Sequence, residues 1–272
     1  MKISVFYEHI AEASLQSGKS VAEICRVISA LGVTGVEIEN KRLVNESERE
    51  QVLKDLKQAA LEISCMYGFF DFSHGEDIRN GFRFIDKASD LNIKKVMLIP
   101  GFFEKKENTF WKRKRIINRM VSALKAVCEY AKDKNIMVVL EDFDNSIAYY
   151  SNAGGLKYFL DEIPELFCAF DTGNFLYSEE DSFEVLPMFL NRVGHVHCKD
   201  RTFVKKEGEV PQKTIRGREM YSCAVGKGCI RMKEIVDTLL QHGYDDYFAA
   251  EHFGSMNQLE DIKSSVSWLS QF

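Results

Sequence analysis

Proline is scarce, four in 272 residues, and no stretch rich in Gly, Ser and Pro interrupts the chain. Nothing in the composition marks a linker, so residues 1–272 are expected to form a single domain. Long apolar runs are missing too. None approaches the roughly 18 residues that a membrane-spanning helix needs, and no membrane association is expected. The N-terminal MKISVFYEHI lacks the longer apolar stretch and the small-residue cleavage site of a signal peptide. There is no excess of basic residues: 36 Lys and Arg against 41 Asp and Glu leave a net charge of -5. That balance argues against a nucleic-acid partner, which would ask for a basic footprint. Finally, the seven cysteines are odd in number and no two are spaced Cys-x-x-Cys. They read as small apolar residues in a reduced compartment, and a cytoplasmic location is expected.

What is present is a chain able to bury a sizeable core, 45% hydrophobic and 28% charged. Eight short β-like runs recur along it: KISVFY (2–7), GVEIE (35–39), EISCMY (62–67), KKVMLIP (94–100), IMVVLED (136–142), LFCAFD (166–171), VGHVHC (193–198) and YFAAEH (247–252). Most are apolar with β-branched or aromatic residues, as strands buried on both faces should be. Amphipathic stretches lie between them. KSVAEICRVISALG ends on Gly32, NESEREQVLKDLKQAAL opens on a cap-like Asn45, WKRKRIINRMVSALKAVCEYAKDKN is basic in its first part, and CIRMKEIVDTLLQHG ends on Gly243. Strand and helix repeated eight times in one domain predict an α/β fold, a (β/α)8 barrel. The alternative is a doubly wound open sheet. The count of eight and the lack of a Gly-x-Gly-x-x-Gly turn after the first strand speak against it. One connection is anomalous: residues 199–228 separate the seventh strand from the next helical pattern, and this loop is rich in Lys and Arg. Loops of that length in compact domains are usually functional or disordered.

Barrel enzymes take their chemistry from the C-terminal ends of strands. Here the fifth strand ends on Glu141 and Asp142, and the sixth on Asp171 followed by Asn174. The seventh carries His195 and His197, and the eighth ends on Glu251 and His252. Burying an unpaired carboxylate is very costly, and three converging ones would repel each other strongly. A divalent cation at their centre resolves that repulsion. Glu141 to Asp171 is 30 residues and Asp171 to His197 is 26, each about one strand–helix unit. His197 to Glu251 is 54, one unit plus the long loop. The four side chains can therefore occupy equivalent positions on neighbouring strands. Each alone has a plain structural reading, a hydrogen-bonded histidine, a turn-capping aspartate or a salt-bridged glutamate. Four in equivalent places on consecutive strands make that reading less economical.

The strand-end Glu141 together with FDTGN, HVHCKD and a terminal GY…AAEH resembles the xylose isomerase-like barrels. Within them the chain is most similar to the sugar phosphate isomerase/epimerase group, which includes ketose 3-epimerases, hydroxypyruvate isomerases and inosose dehydratases. The resemblance implies one divalent metal ion held by Glu141, Asp171, His197 and Glu251, with Glu141 and Glu251 also acting as acid and base. It further implies that His195 lines or supports the site. Where many members read Asp-x-Gly-His this chain has Asn174, so the histidine contact to substrate is replaced by an amide. Oxygen ligands with one imidazole suit Mn2+ or Mg2+, with Co2+ and Zn2+ compatible, and Mn2+ is favoured. Lys199, Arg201 and Arg216 are candidates to meet a hydroxyl or phosphate group of the substrate. Glu37, ending the second strand, either lines the pocket or pairs with a nearby cation. The long loop is a candidate cover over the substrate.

The expected function is a metal-dependent isomerase or epimerase acting on a small sugar or sugar phosphate. A carbon next to a carbonyl is a weak acid; two carboxylates on opposite faces of the substrate let one remove a proton while the other delivers one. The alternatives are a keto-polyol dehydratase of the same superfamily and a non-catalytic carbohydrate-binding barrel. An endonuclease IV-like nuclease is disfavoured, because that chemistry needs several metals and more histidines than the six present. A homodimer or homotetramer is what the resemblance suggests.

Overall fold

The computed structural model describes residues 1–107 and 109–272. Eight parallel strands close into a barrel: β1 (Lys2–Phe6), β2 (Gly35–Glu39), β3 (Glu62–Phe69), β4 (Lys95–Ile99), β5 (Met137–Glu141), β6 (Leu166–Asp171), β7 (Val193–Thr202) and, after two short strands of an excursion, β10 (Tyr247–Glu251). Each pairs with the next in order, and β10 closes the ring by pairing with both β1 and β7. The (β/α)8 barrel expected from the pattern is therefore the fold, and all eight runs became barrel strands. Among the described residues no helix is long and apolar enough to cross a membrane.

The recognised helices are α2 (Val21–Ala30), α3 (Glu46–Gln58), α5 (Phe110–Lys132) and α8 (Met232–Gln241). Their local signals are real. Ser20 and Glu23 form a reciprocal cap on α2, and the Asn45 side chain accepts from the Glu48 amide at 3.0 Å. Five further helices among the described residues lie outside those segments: α1 (Tyr7–Ser17), α4 (Arg79–Asp90), α6 (Ala153–Glu162), the single turn α7 (Ser182–Val185) and α9 (Gln258–Leu269). α1 follows β1 with no breaker or side-chain cap between them, so its first residue reads as the end of the strand. α6 is capped by the Asn152 side chain, which accepts from the Gly155 amide at 2.8 Å, but its first turn holds Gly154 and Gly155, poor helix formers. Packing of their apolar faces against the barrel, rather than local propensity, makes these segments helical.

The long connection after the seventh strand is not a loop at its start. β7 runs four residues beyond the predicted end, and residues 200–202 pair antiparallel with β9 (Glu219–Cys223), which in turn pairs with β8 (Gln212–Lys213). Asp200 fastens this excursion. Its carboxylate accepts from the backbone amides of Arg201, Gly226, Gly228 and Ile230 at 2.9–3.2 Å. A Cβ on Gly228 would collide with that carboxylate. Asp200→Ala would leave these amides without their acceptor; a loss of about 3 kcal/mol of stability is expected. Urea unfolding of the variant checks this, and an unchanged midpoint would refute the fastening role. The seven cysteines are all free thiols; Cys229 is exposed and the others are buried.

Candidate active site

The period of two along β7 builds the site. His195, His197, Lys199 and Arg201 share one face of the strand and rise along the barrel axis towards its C-terminal mouth, about 6.6 Å per step. Each step meets carboxylates from other strands. His195 Nε2 lies 2.8 Å from Glu37 Oε2, and His197 Nε2 lies 3.1 Å from the same oxygen. On its other side, His197 Nδ1 is 2.6 Å from Glu141, 3.5 Å from Glu251 and 3.8 Å from Asp171. Lys199 Nζ donates to Glu251 at 2.6 Å, to Asn174 Oδ1 at 2.7 Å and to Asp144 at 3.3 Å. Arg201 donates to Asp144 at 3.1 Å and to Gln212 at 2.9 Å. Register brings these partners together: Asp171 lies beside His197, and Glu251 beside Lys199.

Glu141, Asp171, His197 and Glu251 thus converge, as their strand-end positions implied. One ligand atom from each lies within 4.8 Å of the others, and all four residues are buried. Two observations fit a divalent cation here. Three carboxylates face one imidazole and one ammonium, which leaves negative charge unmatched. Asp171 also uses one oxygen to accept the amides of Gly173 and Asn174, both at 2.7 Å, and leaves the other buried without a partner. Oxygen donors with one nitrogen suit a hard or borderline ion. Glu37, His195 and His197 form a second convergent group. The Lys95 ammonium, 3.2 Å from His195 Nδ1, makes that group a poor home for a cation.

Electrostatics separates the two glutamates. Burial raises the Glu141 pKa, and although His197 opposes this, it stays above the ordinary carboxylate value. Burial also acts on Glu251, but Lys199 and then His197 more than offset it and hold its pKa low. Burial and the neighbouring Glu251 and Glu141 charges push Asp171 well up, against the pull of Lys199. His197 goes the other way from most buried histidines. Burial disfavours its charge, yet Glu37 and Glu141 on its two nitrogens raise its pKa well above the ordinary value. Asp142, next to Glu141, is not part of the convergent set. Both its oxygens are buried without partners, and burial with the Asp171 charge pushes its pKa well up.

Above these groups opens a pocket of about 490 Å³. Its lining combines the aromatic side chains of Phe6, Tyr67, Phe69, Phe143 and Phe253 with the polar ones of Asp144, Asn174, Lys199, Arg201 and Gln212, and Glu141 and Glu251 also reach it. Aromatic rings suit the C–H face of a sugar, and the polar groups its hydroxyls.

Not every residue proposed from the sequence sits there. Glu37 and His195 are fully buried beneath the pocket, and Glu37 pairs with the two histidines instead of lining a wall. Arg216, in the turn between β8 and β9, is 77% exposed; its guanidinium lies 3.8 Å from Glu179, and it is not among the pocket-lining residues. His252 points away from the ligands, its Nε2 2.7 Å from Ser265 Oγ. Lys199 and Arg201 are buried strand residues, not part of a solvated loop. The sequence reading missed Asp144, Gln212 and Lys95. Asp144 could have been found in LEDFDN, three residues beyond Glu141, and Lys95 as a charge interrupting the apolar run KKVMLIP.

Comparison with known proteins agrees with this fold. The inosose dehydratase of Clostridium beijerinckii is 29% identical over 123 residues, 41% of this chain and 41% of that protein. That of Bacillus licheniformis is 32% identical over 87 residues, 30% of this chain and 28% of that protein. The chain thus spans less than half the length of these curated relatives. Among solved structures, the IOLI protein with a binding zinc atom is similar with a TM-score of 0.74 at 15% identity, covering 100% of this chain and 97% of that one. An L-ribulose 3-epimerase gives 0.73 at 17% identity, covering 100% and 94%. The probable 3-DHS dehydratase AsbF of Bacillus anthracis gives 0.72 at 18% identity, covering 99% of each chain. The model of one family matches residues 25–272, and by that match, on this fold, the chain belongs to the xylose isomerase-like TIM barrel family.

Proposed function

We propose that residues 1–272 form one catalytic domain, a divalent-metal-dependent enzyme that moves a proton next to the carbonyl of a polyhydroxy ketone, as a sugar isomerase or epimerase. One observation carries the reading: Glu141 and Glu251 flank the same imidazole at the pocket floor with pKa values pushed in opposite directions. Paired groups tuned apart in this way are the mark of an acid and a base. Glu251, held as carboxylate by Lys199, takes the proton from the substrate carbon. Glu141, held towards its neutral form by burial, delivers one. Lys199, Asn174 and Gln212 orient hydroxyl groups, and the aromatic side chains exclude water. Glu141, Asp171, His197 and Glu251 would hold the ion, with Mn2+ favoured by the donor set. Bound there, the ion supplies Lewis-acid stabilisation of the negative charge that develops on the substrate oxygens.

The substrate is proposed to be uncharged rather than phosphorylated. Lys199 is matched by Glu251 and Asp144, and Arg201 by Asp144. The pocket lining also carries Glu8, which accepts from Tyr67 at 2.9 Å, and Glu39, which pairs with Lys41. A phosphate entering this pocket would meet cations already paired.

A second reading, dehydration of a keto-polyol, is favoured by Lys199. Its ammonium, 2.6 Å from Glu251, stands next to the proposed base and can protonate a departing hydroxide. The curated relatives named inosose dehydratases agree with it. Incubation with Mn2+ and a panel of ketoses, ketose phosphates and keto-cyclitols in D2O, followed by NMR, tests both. Deuterium at carbon with a new epimer or an aldose supports the first reading. An unsaturated or deoxygenated product supports the second. Absence of exchange and of water loss across the panel would count against proton abstraction at this site.

A further inference from the structure

The barrel axis of this protein is not apolar. Below the pocket a continuous line of polar groups descends from His197 to the N-terminal end of the barrel, through Glu37, His195, Lys95 and Asp246. Lys95 opens β4, and its side chain is buried inside the barrel. Its ammonium donates to Asp246 Oδ2 at 2.7 Å and contacts His195 Nδ1 at 3.2 Å. Asp246 precedes β10, is partly exposed, and accepts the Tyr247 amide at 2.9 Å through its other oxygen. Nothing in the proposed reaction uses Lys95 or Asp246.

We propose that Lys95 and Asp246, at the end of the barrel opposite the pocket, are positioning residues for His197, acting through His195 and Glu37 to fix which of its nitrogens faces the ion. The inference rests on the reading of Glu141, Asp171, His197 and Glu251 as ligands. Its logic is that of donors and acceptors. An ammonium has three donors and no acceptor. Beside it, His195 Nδ1 has to accept, so the proton of His195 sits on Nε2 and is donated to Glu37 Oε2 at 2.8 Å. A carboxylate only accepts. The same Glu37 oxygen receives the Nε2 proton of His197 at 3.1 Å, and Nδ1 of His197 is the nitrogen directed at Glu141, Asp171 and Glu251. Glu37 asks both histidines for a proton; Lys95 adds the demand that His195 Nδ1 accept, which fixes the ring of His195 as the Nε2–H tautomer, and a fixed His195 holds the Glu37 carboxylate where it meets His197. Asp246 holds the ammonium in place and supplies its counter-charge. Partners that orient a ligating histidine typically change metal affinity by about 10–100-fold when removed; Lys95 acts two residues further back, so the lower end applies.

The test uses the full chain labelled with 15N-histidine, wild type and the variants Lys95→Met, Lys95→Arg and Asp246→Asn. Long-range proton–nitrogen correlation spectra read proton placement on His195, and calorimetry reads Mn2+ affinity. Expected is a His195 proton on Nε2 in the wild type and a changed or mixed placement in Lys95→Met. Mn2+ affinity should fall about tenfold in Lys95→Met, less in Asp246→Asn, and recover in Lys95→Arg. If Lys95→Met does not fold, Asp246→Asn, altered at a partly exposed position, still decides. Wild-type proton placement and Mn2+ affinity in Lys95→Met and Asp246→Asn, even with a lowered melting temperature, would overturn the proposal and leave a structural ion pair. A wild type that takes up no divalent ion would instead sink the ligand reading itself, and this inference with it.

Discussion

Glu251→Gln is expected to lower turnover by about 10²–10⁴-fold, the usual contribution of a positioned acid or base, while the barrel stays folded. The change is isosteric and removes one charge. Lys199 keeps Asp144 and Asn174 as partners, so no buried cation is stranded. The two properties therefore separate: thermal unfolding in the absence of metal should move little, and proton exchange into the substrate should nearly vanish. Glu141→Gln should show the same pattern. There the lost partner is on His197, whose other nitrogen keeps Glu37. A Glu251→Gln protein retaining more than a tenth of wild-type exchange would remove this residue from the role of base.

The second large effect is a pH dependence of metal affinity. In the metal-free protein two of the proposed ligands hold protons that an ion would displace. The pKa of His197 is raised well above 6.5, because Glu37 and Glu141 outweigh burial. Burial with the neighbouring Glu251 and Glu141 charges raises Asp171 well above 3.8. The sign is the same for both. A group whose folded pKa exceeds its unfolded value contributes stability that is complete below the unfolded value and disappears as pH rises through the folded one. The metal-free barrel should thus lose the Asp171 contribution as pH rises from about 3.9 and the His197 contribution as it rises from about 6.5, the unfolded carboxylate and imidazole values, while the metal-loaded one should not, since the ion takes the place of the protons. Affinity for Mn2+ should rise about tenfold per pH unit for each proton released, up to the raised pKa of His197. Calorimetric titrations in buffers of different ionisation enthalpy count the protons directly. Proton release near zero between pH 6 and 8 would mean that His197 is already neutral, and that the Glu37–His197–Glu141 arrangement does not hold a charge.

The sequence carried much of this molecule and missed an identifiable part. Strands are legible as short apolar runs rich in β-branched and aromatic residues, and most of the eight barrel strands are of that kind. Their polar ends, Glu141, Asp171, His197 and Glu251, were legible for the same reason: a charge closing an apolar run on consecutive strands stands out, and barrel topology turns equivalent strand ends into neighbours. α1 and α6 were not legible, since one grows from a strand without a break and the other has two glycines in its first turn. Arg216 was misplaced with the site because a basic loop shows its charge but not its direction. Residues 214–218 form the turn between β8 and β9, where the Arg216 guanidinium lies beside Glu179.

By itself the sequence determined the barrel, the order of its strands and the four side chains that meet at its mouth, because hydrophobic period and strand-end position are local properties that closure converts into geometry. Only the tertiary structure decided what lies beneath and beside them. Lys95, Glu37 and Asp246 come from the strand or border of β4, β2 and β10, Asp144 from the segment after β5, and Gln212 from β8. Their meaning resides in partners 11–160 residues away. A lysine in an apolar run reads as an edge or a fault until the barrel closes, when it is found bonded to the histidine that orients the site. Contacts across a closed barrel are set by packing, and no periodicity along the chain records them.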